Sequence, residues 1–289
     1  MLYQNFMDRS AIPLLEHPLH LPSAFTPEAL IEAVREERGL PASAIPPVCV
    51  LDFDGDLTDW LAANSAVRVC AEWACFHTTL FEFEVDGARC GIIPRTLGGP
   101  YAVLVAEQLA CSGARVVCGL TSAGRISPAL PIPSMVVVRR AIRDEGTSYH
   151  YLAPEHQAEC RADVADTLLS ELRQVALPLT SGLVWTTDAP YRETVAQLER
   201  HRDAGALAVE MQAASLFAFG AARQFPVGVV AHVTNAVGHN EEQFDKGDPH
   251  VSFEILKAIC RAGTCLLTDS EPQNKKGAEG FPNAPSFTN

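Results

Sequence analysis

The stretch Ala206–Gly238, ALAVEMQAASLFAFGAARQFPVGVVAHVTNAVG, decides how the chain is read. Glu210 and Met211 stand side by side near its start, and from Val209 to Ala222 nearly every residue is apolar or small. Met211, Ala214, Ser215, Ala218 and Ala222 fall at helical spacing, which predicts a helix with Glu210 on its first turn. A helix apolar on most faces is buried. Gln224-Phe225-Pro226 stops it, and Val227–Val233 predicts a buried strand that ends in Thr234-Asn235. Polar groups at a strand's carboxyl end lie where α/β sheets bind ligands. A carboxylate entering the helix and an amide leaving the strand can therefore face one pocket. His232, inside the apolar strand, reads as a core histidine.

The alternation of strand and helix continues in both directions. Thr26-Pro27-Glu28 carries a hydroxyl cap, a first-turn proline and a first-turn acid, and opens a helix that Gly39 ends. Pro47–Phe53 reads as a buried strand, and Asp86-Gly87 joins Thr79–Glu84 to Arg89–Pro94 as a hairpin. Leu97-Gly98-Gly99-Pro100 leads into a helix over Tyr101–Cys111. Further strands are expected at Ala114–Leu120, Met135–Arg140 and Gly182–Thr187, and further helices at Arg161–Val175 and Val251–Arg261. Thr121-Ser122-Ala123-Gly124 and Asp188–Glu193 read as loops at strand ends, and His239–His250 as a polar, acidic lid. The fold class is α/β: a single domain over 25–267, with an N-terminal arm over 1–24 and a flexible tail over 268–289.

Bulk properties narrow the function. A formal charge of −13 argues against a nucleic-acid surface. The nine cysteines form neither a CxxC pair nor a Cys/His cluster, so no metal site and no disulfide framework is expected. No leader and no apolar run long enough to span a membrane is evident, which places the chain in the cytoplasm with reduced thiols. The loop after Pro47–Phe53 also resembles the nucleophile loop of haloacid-dehalogenase-like phosphatases, which would make Asp52 the nucleophile, Asp54 the acid/base, and magnesium the cofactor. Asp56 stands where that family has Thr or Val, and its later motifs are not evident.

Taken in order, the Gly55-Asp56 loop, the Gly98-Gly99-Pro100 turn, Thr121-Ser122-Ala123-Gly124, Thr186-Thr187-Asp188-Ala189-Pro190-Tyr191, Val209–Ala214 and Thr234-Asn235 resemble the purine nucleoside and uridine phosphorylase family, which includes nucleosidases. The resemblance covers about Leu19 to Cys260. It implies a mixed central sheet flanked by helices, a nucleoside substrate, no cofactor, and a homo-oligomer (dimer or hexamer) that shares its sites between subunits. It implies that Glu210 and Asn235 act in catalysis, that Met211, Gln212 and Ser122 hold the ribose, and that His20 reaches a neighbour's 5′ hydroxyl. The base side would be formed by Asp188, Tyr191, Arg192, Thr121, Gly124 and Asn235.

Two departures matter. Gln212 stands where the family has an acid that binds the ribose 2′ and 3′ hydroxyls, and an amide pulls on hydroxyls less strongly than a carboxylate. Where family phosphorylases hold phosphate with arginines, two from the same chain and one from the partner subunit, this chain has Asp59, Gly119 and, at the position the partner lends, Glu82. Ser122 remains on that side, and Arg95 or Arg125 can substitute from new positions without fully restoring what is lost. Like charges repel phosphate, so water is the expected attacking group and hydrolysis the favoured chemistry, with Asp56, Asp59 or Glu82 as its general base. Phosphorolysis at a rearranged site and nucleoside binding without turnover are the alternatives.

Overall fold

Every residue of β1 (Val48–Asp52) is buried, because this strand lies at the middle of the sheet with helices on both faces. Cys49, Leu51 and Phe53 enter one apolar cluster, while Val48 and Val50 enter the other. Side chains alternate across a strand, so a strand covered on both faces reads as a continuous apolar run. The computed structural model describes residues 12–41, 43–237 and 247–269.

The helices are α1 (Pro27–Arg38), α2 (Asp56–Ala63), α3 (Gly99–Cys111), α4 (Ala162–Leu172), α5 (Val195–Asp203), α6 (Ala213–Arg223) and α7 (Pro249–Asp269). The remaining strands are β2 (Arg68–Val69), β3 (Phe81–Val85), β4 (Ala88–Pro94), β5 (Val116–Arg125), β6 (Ser134–Asp144), β7 (Gln157–Glu159), β8 (Leu179–Thr187), β9 (Ala206–Glu210) and β10 (Val227–Ala236). They form one mixed sheet in the order β10-β6-β8-β9-β5-β1-β4-β3-β2, with β7 beside β6. β10 also pairs with β5 in parallel, so β10, β6, β8, β9 and β5 close into a ring. The carboxyl ends of β5 and β10 therefore lie side by side, next to the end of β9.

The α3 and α6 side chains pack on one face of the sheet. On the other, α2, α4 and α7 contribute Leu57, Leu61, Val164, Leu168, Leu172, Ile255 and Ile259. Leu168→Ala is expected to cost about 2–5 kcal/mol in urea denaturation and to leave any catalytic rate unchanged, since Leu168 sits in that second cluster. The α1 signals act as read: Thr26 Oγ1 accepts from the Ala29 amide at 3.3 Å, and Gly39 ends the helix with φ +62°. All nine cysteines are free thiols. Among the described residues no helix is long and apolar enough to cross a membrane.

Three sequence boundaries are corrected. Ala206–Glu210 is a strand, and α6 begins only at Ala213, so Glu210 ends a strand rather than entering a helix. The apolar run fits either structure by pattern, and pairing with β8 and β5 selects the strand. Thr121–Gly124 is not a loop: β5 continues to Arg125, because those small residues pair with β10. The last helix runs from Pro249 to Asp269, beyond the expected Arg261. Residues 239–246 of the expected lid, and the arm and tail residues 1–11 and 270–289, lie outside the described residues.

Candidate active site

A cavity of about 260 Å³ opens where β5, β9 and β10 end, lined by Thr121, Ser122, Gly124, Glu210, Met211, Gln212 and Asn235 together with Leu97, Pro190 and Glu193. The sheet brings these residues together from positions far apart in sequence. Asn235 pairs with Gly124, and Gly124 pairs in turn with Val209, so the two strand ends and the β9–α6 junction form one wall. A bulge between Val233 and Asn235 turns the end of β10 toward the cavity. Asn235 Nδ2 donates to Thr234 Oγ1 at 3.0 Å.

Glu210 is 4% exposed. Its Oε2 accepts from the amides of Gln212 at 2.7 Å and Ala213 at 2.8 Å, and its Oε1 accepts from the Thr186 hydroxyl. Amides at a helix start have no partner within the helix, and this carboxylate supplies one from the strand. Burial pushes its carboxyl up to about 7, against the three hydrogen bonds, and the nearby Glu145 raises it further.

Gln212 is fully buried, and its Oε1 faces the Met211 amide at 3.2 Å and the Thr121 hydroxyl at 3.4 Å. The Thr121 hydroxyl also donates to the Ser122 carbonyl at 2.7 Å. A side chain on Gly124 would stand 2.3 Å from Val237, so this glycine serves close packing as well as lining the cavity.

A second, smaller cavity of about 40 Å³ adjoins the first through Thr121 and Ser122, and is lined by Asp52, Asp54, Asp56 and His232. Asp54 accepts from the Ser122 amide at 3.1 Å and the Ser122 hydroxyl at 3.2 Å. No arginine or lysine lines either cavity among the described residues. The sequence placed His232 in the core. It is buried, and it also lines this cavity.

The structure separates several expected site residues from these cavities. Asp59 pairs with Arg95, both half-exposed, and Glu82 sits between Arg68 at 2.7 Å and Arg89 at 2.5 Å on the β2–β3–β4 edge. Within one chain neither lines these two cavities. Asp56 alone of the three expected bases remains at the site. Asp188 accepts from the Gly146 amide at 2.9 Å and lines a different cavity with Arg192, Arg143 and Trp185. Tyr191 is 99% exposed and His20 is exposed on the arm. Arg125 meets the Leu130 carbonyl and lines neither cavity.

The phosphatase reading also fails. Asp52 accepts from Gly55 N at 3.2 Å, Thr58 N at 2.9 Å and Thr58 Oγ1 at 2.7 Å, so its carboxylate is committed to the start of α2 at the wall of the smaller cavity. Gly55 permits this turn with φ +85°.

Glu193 was missed as a site residue. It lines the larger cavity half-buried, and burial alone pushes its carboxyl up to about 7. Its only signal in the sequence was its place at the end of the Asp188 loop.

Residues 48–263 match the sequence profile of the family described as Phosphorylase superfamily. The guanosine phosphorylase of Halorubrum lacusprofundi is 27% identical over 164 residues, 56% of this chain and 68% of that protein. The uridine phosphorylase of Treponema pallidum is 26% identical over 250 residues, 81% of this chain and 95% of that protein. The uridine phosphorylase of Escherichia coli is 22% identical over 201 residues, 63% of this chain and 79% of that protein. The order of motifs, the mixed sheet and this match agree: the chain belongs to the phosphorylase superfamily.

Proposed function

We propose that the chain cleaves the N-glycosidic bond of a nucleoside, with water as the attacking group. The relatives named as guanosine and uridine phosphorylases support the nucleoside and the bond. The observation that carries the choice of water is Asp54, whose carboxylate occupies the amide and hydroxyl of Ser122. An amide beside a hydroxyl is a ready anion site, and here the chain's own anion fills it. With Asp52 and Asp56 beside it and no arginine or lysine lining either cavity among the described residues, incoming phosphate meets repulsion.

Cleavage builds positive charge on the sugar and negative charge on the departing base. Groups that answer those charges lower the barrier. The ribose lies on Met211 and Gln212, with Glu210 holding that turn in place and adding a negative field. Asp54 or Asp56 takes the proton from water. The base lies between Pro190, Glu193 and Asn235. Asn235 hydrogen-bonds the base and carries no acidic proton. Glu193, whose carboxyl burial raises to about 7, donates a proton to the departing base.

No cofactor enters this chemistry. Nine free thiols suit a reducing compartment, the cytoplasm. A homo-oligomer in which the arm's His20 completes a neighbouring site is part of the same proposal, as is the division into arm, domain over 25–267 and tail.

The names of the relatives favour a second reading, phosphate-dependent cleavage. That reading requires phosphate to displace Asp54 from Ser122. Base release from a panel of nucleosides, assayed in phosphate-free buffer and again with phosphate, separates the two. Release without phosphate supports hydrolysis. Release only with phosphate overturns it, and binding without release in either buffer makes the chain a binding protein.

Glu193→Gln tests the acid. An acid must hold its proton to act, so the wild-type rate is expected to fall as pH rises through about 7. The variant should lose about 10²-fold or more in kcat and should flatten that limb of the pH–rate profile.

A further inference from the structure

A cavity of about 540 Å³ lies where β6 and β8 end, on the loop that carries Asp188, Ala189 and Arg192. The same loop lends Pro190 and Glu193 to the candidate active site, so one loop serves two separate cavities. Glu145 lines the one at β6 and β8. It is 7% exposed, and its Oε1 has no hydrogen-bond partner among the described residues. Its Oε2 accepts from the Ser148 amide at 3.0 Å and from the Ser215 hydroxyl. The neighbouring cation does not complete it: the Arg143 guanidinium is turned to Ser148 Oγ at 2.8 Å and to the carbonyls of Ala153 at 2.6 Å and Leu152 at 3.2 Å. Asp188 Oδ2 takes the Gly146 amide at 2.9 Å, and Asp144 Oδ2 takes the Trp185 Nε1–H at 3.0 Å. Three carboxylates, of Asp144, Glu145 and Asp188, thus share the cavity with two guanidiniums, of Arg143 and Arg192. Burial raises the Asp188 carboxyl above its usual range, and the Glu145 and Asp144 charges raise it further. A buried carboxylate oxygen without a donor is costly. What the cavity lacks is one positive charge that carries N–H groups.

We propose that this cavity is a second binding site, for an organic cation: a protonated amine whose N–H groups meet Glu145 Oε1 and Asp188, and whose apolar body lies against Leu14, Leu15 and Trp185. The arm supplies the apolar wall. Ile12 and Leu15 line the cavity while 60% and 45% exposed, so a ligand's apolar body covers surface that now meets water. The volume is that of a small-molecule site. An anion is excluded by the three carboxylates, and a neutral hydroxyl in place of the ammonium forfeits the charge-assisted bonds. The site uses none of the residues given a role in the proposed cleavage, so it stands or falls apart from that reading.

The test is calorimetric titration of the native chain with 2-phenylethylamine, 2-phenylethanol and phenylacetate, three probes of one shape and different charge. The amine should bind at least about tenfold more tightly than the alcohol, and phenylacetate should not bind. Glu145→Gln and Asp188→Asn should each weaken the amine by about tenfold or more and leave the alcohol unchanged. Each amide keeps an oxygen for the backbone N–H its parent accepts from, and melting curves check that each variant folds. Asp188 is the more exposed of the two, so its variant carries the test where Glu145→Gln fails to fold. Glu193→Gln, in the other cavity, should leave amine binding unchanged. Equal affinity for amine and alcohol, or no amine binding at millimolar concentration, overturns the proposal. Amine binding that survives Asp188→Asn, or that is lost in Glu193→Gln, overturns it as well.

Discussion

Glu210→Gln is expected to lower kcat/KM for base release by about 10²-fold or more while leaving the fold intact. The amide keeps an oxygen for the Gln212 and Ala213 N–H groups and offers its own N–H₂ to Thr186 Oγ1, so the turn from β9 to α6 is preserved. What is lost is a negative charge beside the sugar as positive charge develops on it. Glu210→Ala is expected to behave differently. It strands two backbone amides and a hydroxyl in a buried place, at about 1–3 kcal/mol for each unsatisfied group, and both stability and activity should fall.

The pH dependence of stability separates the two roles. The Glu210 carboxyl is raised from its ordinary 4.5 to about 7 by burial, so the folded state binds this proton more tightly than the unfolded chain does. Its contribution to stability is full below about pH 4.5, declines between 4.5 and 7, and is lost above. Thermal melts of the native chain and Glu210→Gln should therefore show the variant gaining relative to the native chain as pH rises from 5 to 8. A variant that melts early at both values, with activity lost in proportion, would leave Glu210 a cap and nothing more.

The second large effect is expected at Asp54. Asp54→Asn should reduce hydrolysis by about 10²–10⁴-fold, because an amide cannot take a proton from water, while the contact with Ser122 can persist. Asp54→Ala should go further in kind. It frees the Ser122 amide and hydroxyl, so added phosphate should raise base release in this variant and not in the native chain. Full hydrolysis by Asp54→Asn would move the role of base to Asp56, which lines the same small cavity.

Much of the fold was readable from sequence. The apolar runs of β1 and β10 mark buried strands, Asp86-Gly87 marks the β3–β4 turn, and the Thr26 cap and Gly39 mark the ends of α1. The β9–α6 boundary was not, because a short apolar run fits a buried strand as well as a helix. Its strand character comes from partners in β8 and β5, far away in the chain. The same is true of the end of β5, where small polar residues look like a loop until β10 pairs with them.

The site divides along similar lines. Thr121, Ser122, Gly124, Glu210, Met211, Gln212 and Asn235 converge as expected, since each sits at or beside a strand end and the topology joins those ends. The ion pairs of Asp59 with Arg95 and of Glu82 with Arg68 and Arg89 were not legible, because the arginines give no local sign of pairing. The contact of Asp188 with the Gly146 amide was not legible, because that amide belongs to the segment after β6. Glu193 was passed over because its desolvation comes from the cavity around it, which only the folded chain creates.

The most direct test of water as the attacking group is base release in phosphate-free buffer made with ¹⁸O-labelled water, with the sugar product read by mass spectrometry. The expected product is free sugar carrying one ¹⁸O at its anomeric carbon, formed at a rate that added phosphate does not increase. Sugar 1-phosphate formed only when phosphate is supplied, with no label taken from water, would contradict it.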